Sequence, residues 1–130
     1  METKKRVLII EENAALQHTL VDLFRHGGYH AKGTCLLWPA LSALKQNPYD
    51  LIVMDLIPID DHSLSLFFRI RRDYPSLPII LLSSDFDFES IPGILKEKGW
   101  IMLAKPFEPR YLLRKATQMT SVPVTTLISD

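Results

Sequence analysis

Consecutive apolar residues recur along the chain in short runs: Val7-Leu8-Ile9-Ile10, Leu51-Ile52-Val53-Met54, Ile79-Ile80-Leu81-Leu82 and Ile101-Met102-Leu103-Ala104. Each has the length of a strand, and continuous apolar character suits a strand buried on both faces. A weaker, alternating segment, Tyr29 to Thr34, is expected nearer a sheet edge. Between the runs the apolar spacing turns helical. Leu16, Leu20, Leu23 and Phe24 form one stripe, with Asn13 as the expected cap and Gly27-Gly28 as the stop. Leu37, Ala40, Leu41 and Leu44 mark a second helix, closed by Asn47-Pro48. Leu64, Phe67, Phe68 and Arg71 are expected on one face of a third, capped by Ser63 and ended by Tyr74-Pro75. Between Asp85 and Lys98 a fourth helix is expected to start late, at Pro92-Gly93, and to end at Gly99. Glu108-Pro109 opens the last helix, with Leu112, Leu113 and Ala116 inward.

Five strands alternating with five helices predict an α/β fold with a parallel sheet covered on both faces. Right-handed crossovers bring every strand's carboxyl end to the same edge. That edge then collects Glu11, Glu12, Asp55, Ser83 and Lys105, which are far apart in the chain. It is also where open α/β sheets place their chemistry.

The edge has a specific chemical character. Clustered carboxylates repel one another, and a hard cation with oxygen ligands relieves the repulsion. For Mg2+, Glu12 and Asp55 are the expected direct ligands, the backbone carbonyl near Ile57 a third, and Glu11 the holder of a coordinated water. Asp55 is placed to attack phosphorus as a carboxylate nucleophile. Lys105 supplies a mobile positive charge for a phosphoryl oxygen, and Ser83 a hydroxyl donor.

Composition narrows the classes. In 130 residues, 47% are hydrophobic and 23% charged, as in a single globular domain. The net charge is zero, with no basic block to suggest nucleic acid as the main partner. One cysteine, Cys35, allows no intrachain disulfide and is expected as a small core residue. No apolar run approaches a membrane span, and the amino terminus lacks the apolar core of a signal peptide, so a cytoplasmic location is expected. His18, His26, His30 and His62 have no ligand spacing and are expected at the surface. Trp38 and Trp100 are expected in packing, and Arg69-Ile70-Arg71-Arg72 as a solvated helix end.

Taken in order, Val7-Leu8-Ile9-Ile10-Glu11-Glu12-Asn13, Asp50-Leu51-Ile52-Val53-Met54-Asp55, Pro78-Ile79-Ile80-Leu81-Leu82-Ser83-Ser84 and Lys105-Pro106-Phe107 resemble the receiver domain of two-component response regulators. The resemblance covers about Arg6 to Met119 and implies a flavodoxin-like doubly wound (βα)5 sandwich with strand order 2-1-3-4-5. Residues 1–120 would form the domain and 121–130 a tail or linker stub. It implies that Asp55 accepts a phosphoryl group from a histidine kinase or histidine phosphotransfer protein with Mg2+, that Ser83 and Lys105 carry the response, and that the Lys105-Pro106 bond is cis. Output would pass to a downstream domain or protein through the surface of the fourth helix, fifth strand and fifth helix. A phosphorylation-dependent homodimer belongs to the same expectations. Neither direct nucleic-acid binding nor a membrane partner does, nor an enzyme acting on a separate substrate.

The chain departs from the family pattern in several places. The acid pair is Glu11-Glu12 where the second acid is usually Asp; the longer Glu12 side chain either retreats and still ligates Mg2+ or weakens its binding. Pro58 comes three residues after the acceptor instead of four, and Ser63 replaces a glycine. Met102 stands at the switch position, commonly Tyr or Phe, so an aromatic swing is not the readout. These departures keep a second reading open: a pseudo-receiver, with the same fold used for protein interaction and little or no phosphorylation. An aspartate-nucleophile phosphatase usually needs an acid two residues past the nucleophile, where this chain has Ile57. A flavodoxin-like cofactor binder would want a phosphate loop where Glu11-Glu12-Asn13 would repel one.

Overall fold

The computed structural model describes residues 4–56, 61–83 and 99–120. The elements follow in the order β1 (Arg6–Ile10), α1 (Ala14–His26), β2 (His30–Thr34), α2 (Trp38–Gln46), β3 (Leu51–Asp55), α3 (Asp61–Asp73), β4 (Ile79–Ser83), β5 (Trp100–Ala104) and α4 (Pro109–Met119). The helix expected to start at Pro92-Gly93 lies outside the described residues, as do Ile57, Pro58, Ser84 and the tail after Thr120.

All the strands pair in parallel, in the order β2-β1-β3-β4-β5. The apolar runs explain who sits where. β1, β3 and β4 are the inner strands, and their apolar residues are fully buried. The alternating β2 lies at one edge and the half-buried β5 at the other.

Side chains alternate along a strand, so each strand feeds two cores. Leu8, Ile10, Ile52, Met54, Ile79 and Leu81 pack under α2 and α3, while Val7, Ile9, Val53, Ile80, Leu82 and Leu103 pack under α1 and α4. Burying one such aliphatic side chain stabilises the fold by about 1.5–3 kcal/mol. The sheet is therefore held from both faces, and its carboxyl edge is a rigid platform.

Helix ends follow the sequence signals in part. Asn13 caps α1 by accepting the Leu16 N–H at 3.0 Å. Gly27 closes α1, and Gly28 takes φ +94°, a conformation that favours glycine. Pro109 sits in the first turn of α4, where its missing N–H costs nothing.

Several expectations are corrected. Ser63 does not cap α3; it lies inside the helix and is buried. The buried face of α3 is Ser63, Leu66, Phe67 and Ile70, whereas Phe68 is 39% exposed and Leu64 and Arg71 are half-buried. Phe68 and Arg71 keep helical spacing with Leu64 and sit to one side of the buried stripe that Ile70 and Ser63 centre. Ile70 is thus a core residue within an otherwise solvated basic helix end. Cys35 is exposed, in the β2–α2 loop. Trp38 is 73% exposed at the start of α2, while Trp100 is half-buried with its ring edge-on to Phe67 at 6.0 Å. The four histidines are all exposed. No helix among the described residues is long and apolar enough to cross a membrane.

Candidate functional site at the carboxyl edge

Strand register decides which residues meet. Ile10 pairs with Met54, which brings Glu11 level with Asp55. Asp55 pairs with Leu82, and Leu82 with Leu103, so Lys105 lies two residues beyond that level. Alternation decides the face. Glu11, Asp55 and Lys105 each lie two residues after a strand residue of the core under α1 and α4, namely Ile9, Val53 and Leu103. They therefore converge. Lys105 must reach past β4, two strand spacings or roughly 10 Å, to touch β3. Its extended side chain places Nζ 2.7 Å from Asp55 Oδ1 and 3.7 Å from Glu11 Oε1. The Lys105 N–H donates to the Ser83 carbonyl at 2.8 Å, which fixes the point from which that side chain starts.

Glu11 is 3% exposed. Its Oε2 accepts the Asn13 N–H at 3.2 Å, whereas its buried Oε1 has no hydrogen-bond partner. Burial pushes the Glu11 carboxyl above its ordinary value; the Asn13 N–H opposes this, the Asp55 charge adds to it, and the Lys105 charge opposes it. Gln17 braces the turn after β1 by donating to the carbonyls of Glu11 at 2.9 Å and Thr34 at 3.0 Å.

Glu12 goes the other way. It shares the parity of Ile10 and falls on the side of α2 and α3. Its Oε1 accepts the Leu36 N–H at 2.6 Å, and with Leu36, Leu37 and His62 it lines a surface groove. Of the expected acids, the structure brings Glu11 to Asp55 and turns Glu12 to the β2–α2 loop. The backbone partner Leu36 was not among the expected site residues; the odd-even alternation past Ile10 is the signal that points to it.

Ser83 ends β4 fully buried, beside Ala104. Met102 is half-buried against the core under α2 and α3, beside Leu81. The Lys105–Pro106 peptide bond is cis. The carbonyl of Ile57 lies outside the described residues, among which no three His, Cys, Asp or Glu side chains form a metal-binding group. Glu11 and Asp55 still make an oxygen-rich pair, with one buried oxygen left without a hydrogen bond and a cation already drawn to it. Such a pair fits a hard divalent ion such as magnesium.

Comparisons with known proteins identify the family. The family model for the response regulator receiver domain matches residues 7–117. The response regulator protein FleR of Pseudomonas aeruginosa is 30% identical over 110 residues, covering 83% of this chain and 23% of that protein. The virulence transcriptional regulatory protein PhoP of Salmonella choleraesuis is 29% identical over 102 residues, covering 78% and 46%. This chain therefore spans less than half the length of either relative. Among solved structures, a two-component response regulator from Clostridium difficile superposes with a TM-score of 0.80 at 22% identity, covering 92% of this chain and 98% of that one. The chemotaxis response regulator CheY4 of Vibrio cholerae does so with 0.74 at 21% identity, covering 90% and 99%. At such identities these structures speak for the fold alone. With the family model matched over residues 7–117 and the strand order in accord, the chain belongs to the response regulator receiver domain family of two-component systems.

Proposed function

We propose that this chain is a phosphorylation-controlled switch that accepts a phosphoryl group on Asp55. The observation that carries this reading is the Lys105–Asp55 ion pair at the end of the central strand, with Glu11 behind it. In the proposed step, an Asp55 carboxylate oxygen attacks the phosphorus of a phosphohistidine. The new O–P bond forms as the P–N bond breaks, and the imidazole leaves with that electron pair and takes up a proton. Lys105 moves its charge from the carboxylate to a phosphoryl oxygen, a shift its flexible stem permits. Ser83 donates its hydroxyl to another such oxygen, a bond to a charged acceptor worth about 1.5–3 kcal/mol. Glu11 and Asp55 would hold magnesium, which when bound supplies charge neutralisation for the phosphoryl oxygens.

The donor would be a histidine kinase or a histidine phosphotransfer protein in the cytoplasm. The response would leave through the surface that includes β5 and α4, with Met102 shifting its packing in place of an aromatic ring. Its receiver would be an output domain or a separate protein. A second reading, the pseudo-receiver, is favoured by one observation: Glu12 is bonded to the Leu36 amide and not turned toward Asp55.

Amide NMR with magnesium and then with beryllofluoride, a stable mimic of the acyl phosphate, separates the two. The switch predicts shifts that start at Glu11 and Asp55 and spread through Ser83 and Lys105 to α4. Absence of any shift at saturating magnesium and beryllofluoride would leave the pseudo-receiver.

A further inference from the structure

We propose that Glu12 is a positioning residue that ties the β2–α2 loop to the end of β1, and that the acid serving the cation beside Asp55 is Glu11. The second half rests on the proposed function; the first half stands without it.

The two acids are adjacent but differently placed: Glu11 continues the ladder of β1, its N–H donating to the Thr34 carbonyl at 2.9 Å, and Glu12 stands in the bend that follows. Register sets Glu11 level with Asp55 and 3.7 Å from the Lys105 ammonium. Glu12 instead spans 24 positions of sequence to accept the Leu36 N–H at 2.6 Å, the length of a strong bond to a charged acceptor. The loop it holds needs holding. Leu37, the next residue, sits at φ +64° and ψ −117°, the left-handed side of the map that an L residue with a branched side chain adopts only under constraint. Leu37 is also the only non-glycine residue with positive φ among the described residues. Leu37 lies at the N-cap of α2 without a side-chain cap, so Pro39 in the first turn favours the helix but no side chain satisfies its first N–H groups. Trp38 follows and is 73% exposed. The extra methylene of Glu over Asp gives the reach. In this account the glutamate at position 12 is the feature that lets the loop be anchored, at the expense of a second acid facing Asp55.

The test compares Glu12→Gln, Glu12→Ala and Glu11→Gln in the whole chain. Glutamine keeps a carbonyl acceptor for Leu36 but loses the charge; alanine loses both. Without metal, the Leu36 amide should exchange with solvent about tenfold faster or more in Glu12→Ala, and within about threefold of the parent in Glu12→Gln. Fluorescence of Trp38 should change in Glu12→Ala and hold in Glu12→Gln. Equal Leu36 exchange in the parent and Glu12→Ala would overturn the tie. Magnesium affinity, read from the Asp55 amide, should fall about tenfold or more in Glu11→Gln and stay within about threefold in Glu12→Gln. The reverse order would overturn the assignment of Glu11. If the parent itself fails to bind magnesium, the proposed function fails and the assignment of Glu11 falls with it, while the exchange result still decides the tie.

Discussion

Lys105 reaches across the end of β4 to place its ammonium 2.7 Å from the carboxylate of Asp55. Neither side chain is open to water on all sides: 23% of Lys105 and 17% of Asp55 is exposed. Breaking a partly buried pair leaves the survivor desolvated and uncompensated. Here the survivor would be two facing acids. Lys105→Met is therefore expected to destabilise the fold by about 1–3 kcal/mol. Magnesium should recover part of that loss, because it replaces the missing positive charge. Urea denaturation of the variant with and without magnesium measures both effects.

Glu11 supplies a prediction in pH. Its carboxyl is raised above the ordinary value of 4.5, first by burial. The folded state therefore holds its proton to higher pH than the unfolded state does. Stability from this group is fully present below the unfolded value and is lost as pH rises through the folded one. Glu11→Gln removes the titration while keeping the shape. The variant should gain stability relative to the parent as pH rises from about 4.5 to 7, and the difference should vanish at the acid end. Denaturation midpoints across that range give the answer.

The two adjacent phenylalanines of α3 separate core from surface. Phe67 is fully buried, with its ring edge-on to Trp100, and Phe68 is 39% exposed. Phe67→Ala should cost about 3–5 kcal/mol, in line with loss of a large core side chain. Phe68→Ala should cost clearly less, about 1 kcal/mol, because more than a third of that residue lies in water. Comparable losses for both would contradict the face assigned to α3.

The fold was legible because the strands are continuous apolar runs ending in punctuation: Ile10 before Glu11, Met54 before Asp55, Ala104 before Lys105-Pro106. That Asp55 and Lys105 stand at one edge follows from parallel pairing alone. Choosing between Glu11 and Glu12 needed the face of each residue, which the parity of Ile9, Val53 and Leu103 carries and run length does not. Trp38 and Cys35 were misplaced for a different reason. Apolar character states a preference for burial, but the β2–α2 loop leaves Cys35, and the first turn of α2 leaves Trp38, in solvent. The face of α3 was misread because Phe68 beside Phe67 mimics a stripe that Ser63, Leu66 and Ile70 define.

The most direct test of the account is intact-mass measurement after incubation with magnesium and a small phosphoramidate donor, on the parent chain and on Asp55→Asn. The account predicts a mass increase of one phosphoryl group in the parent, reversed by hydroxylamine as an acyl phosphate should be, and no increase in Asp55→Asn. Equal labelling of both chains, or none in the parent at saturating donor, would contradict it.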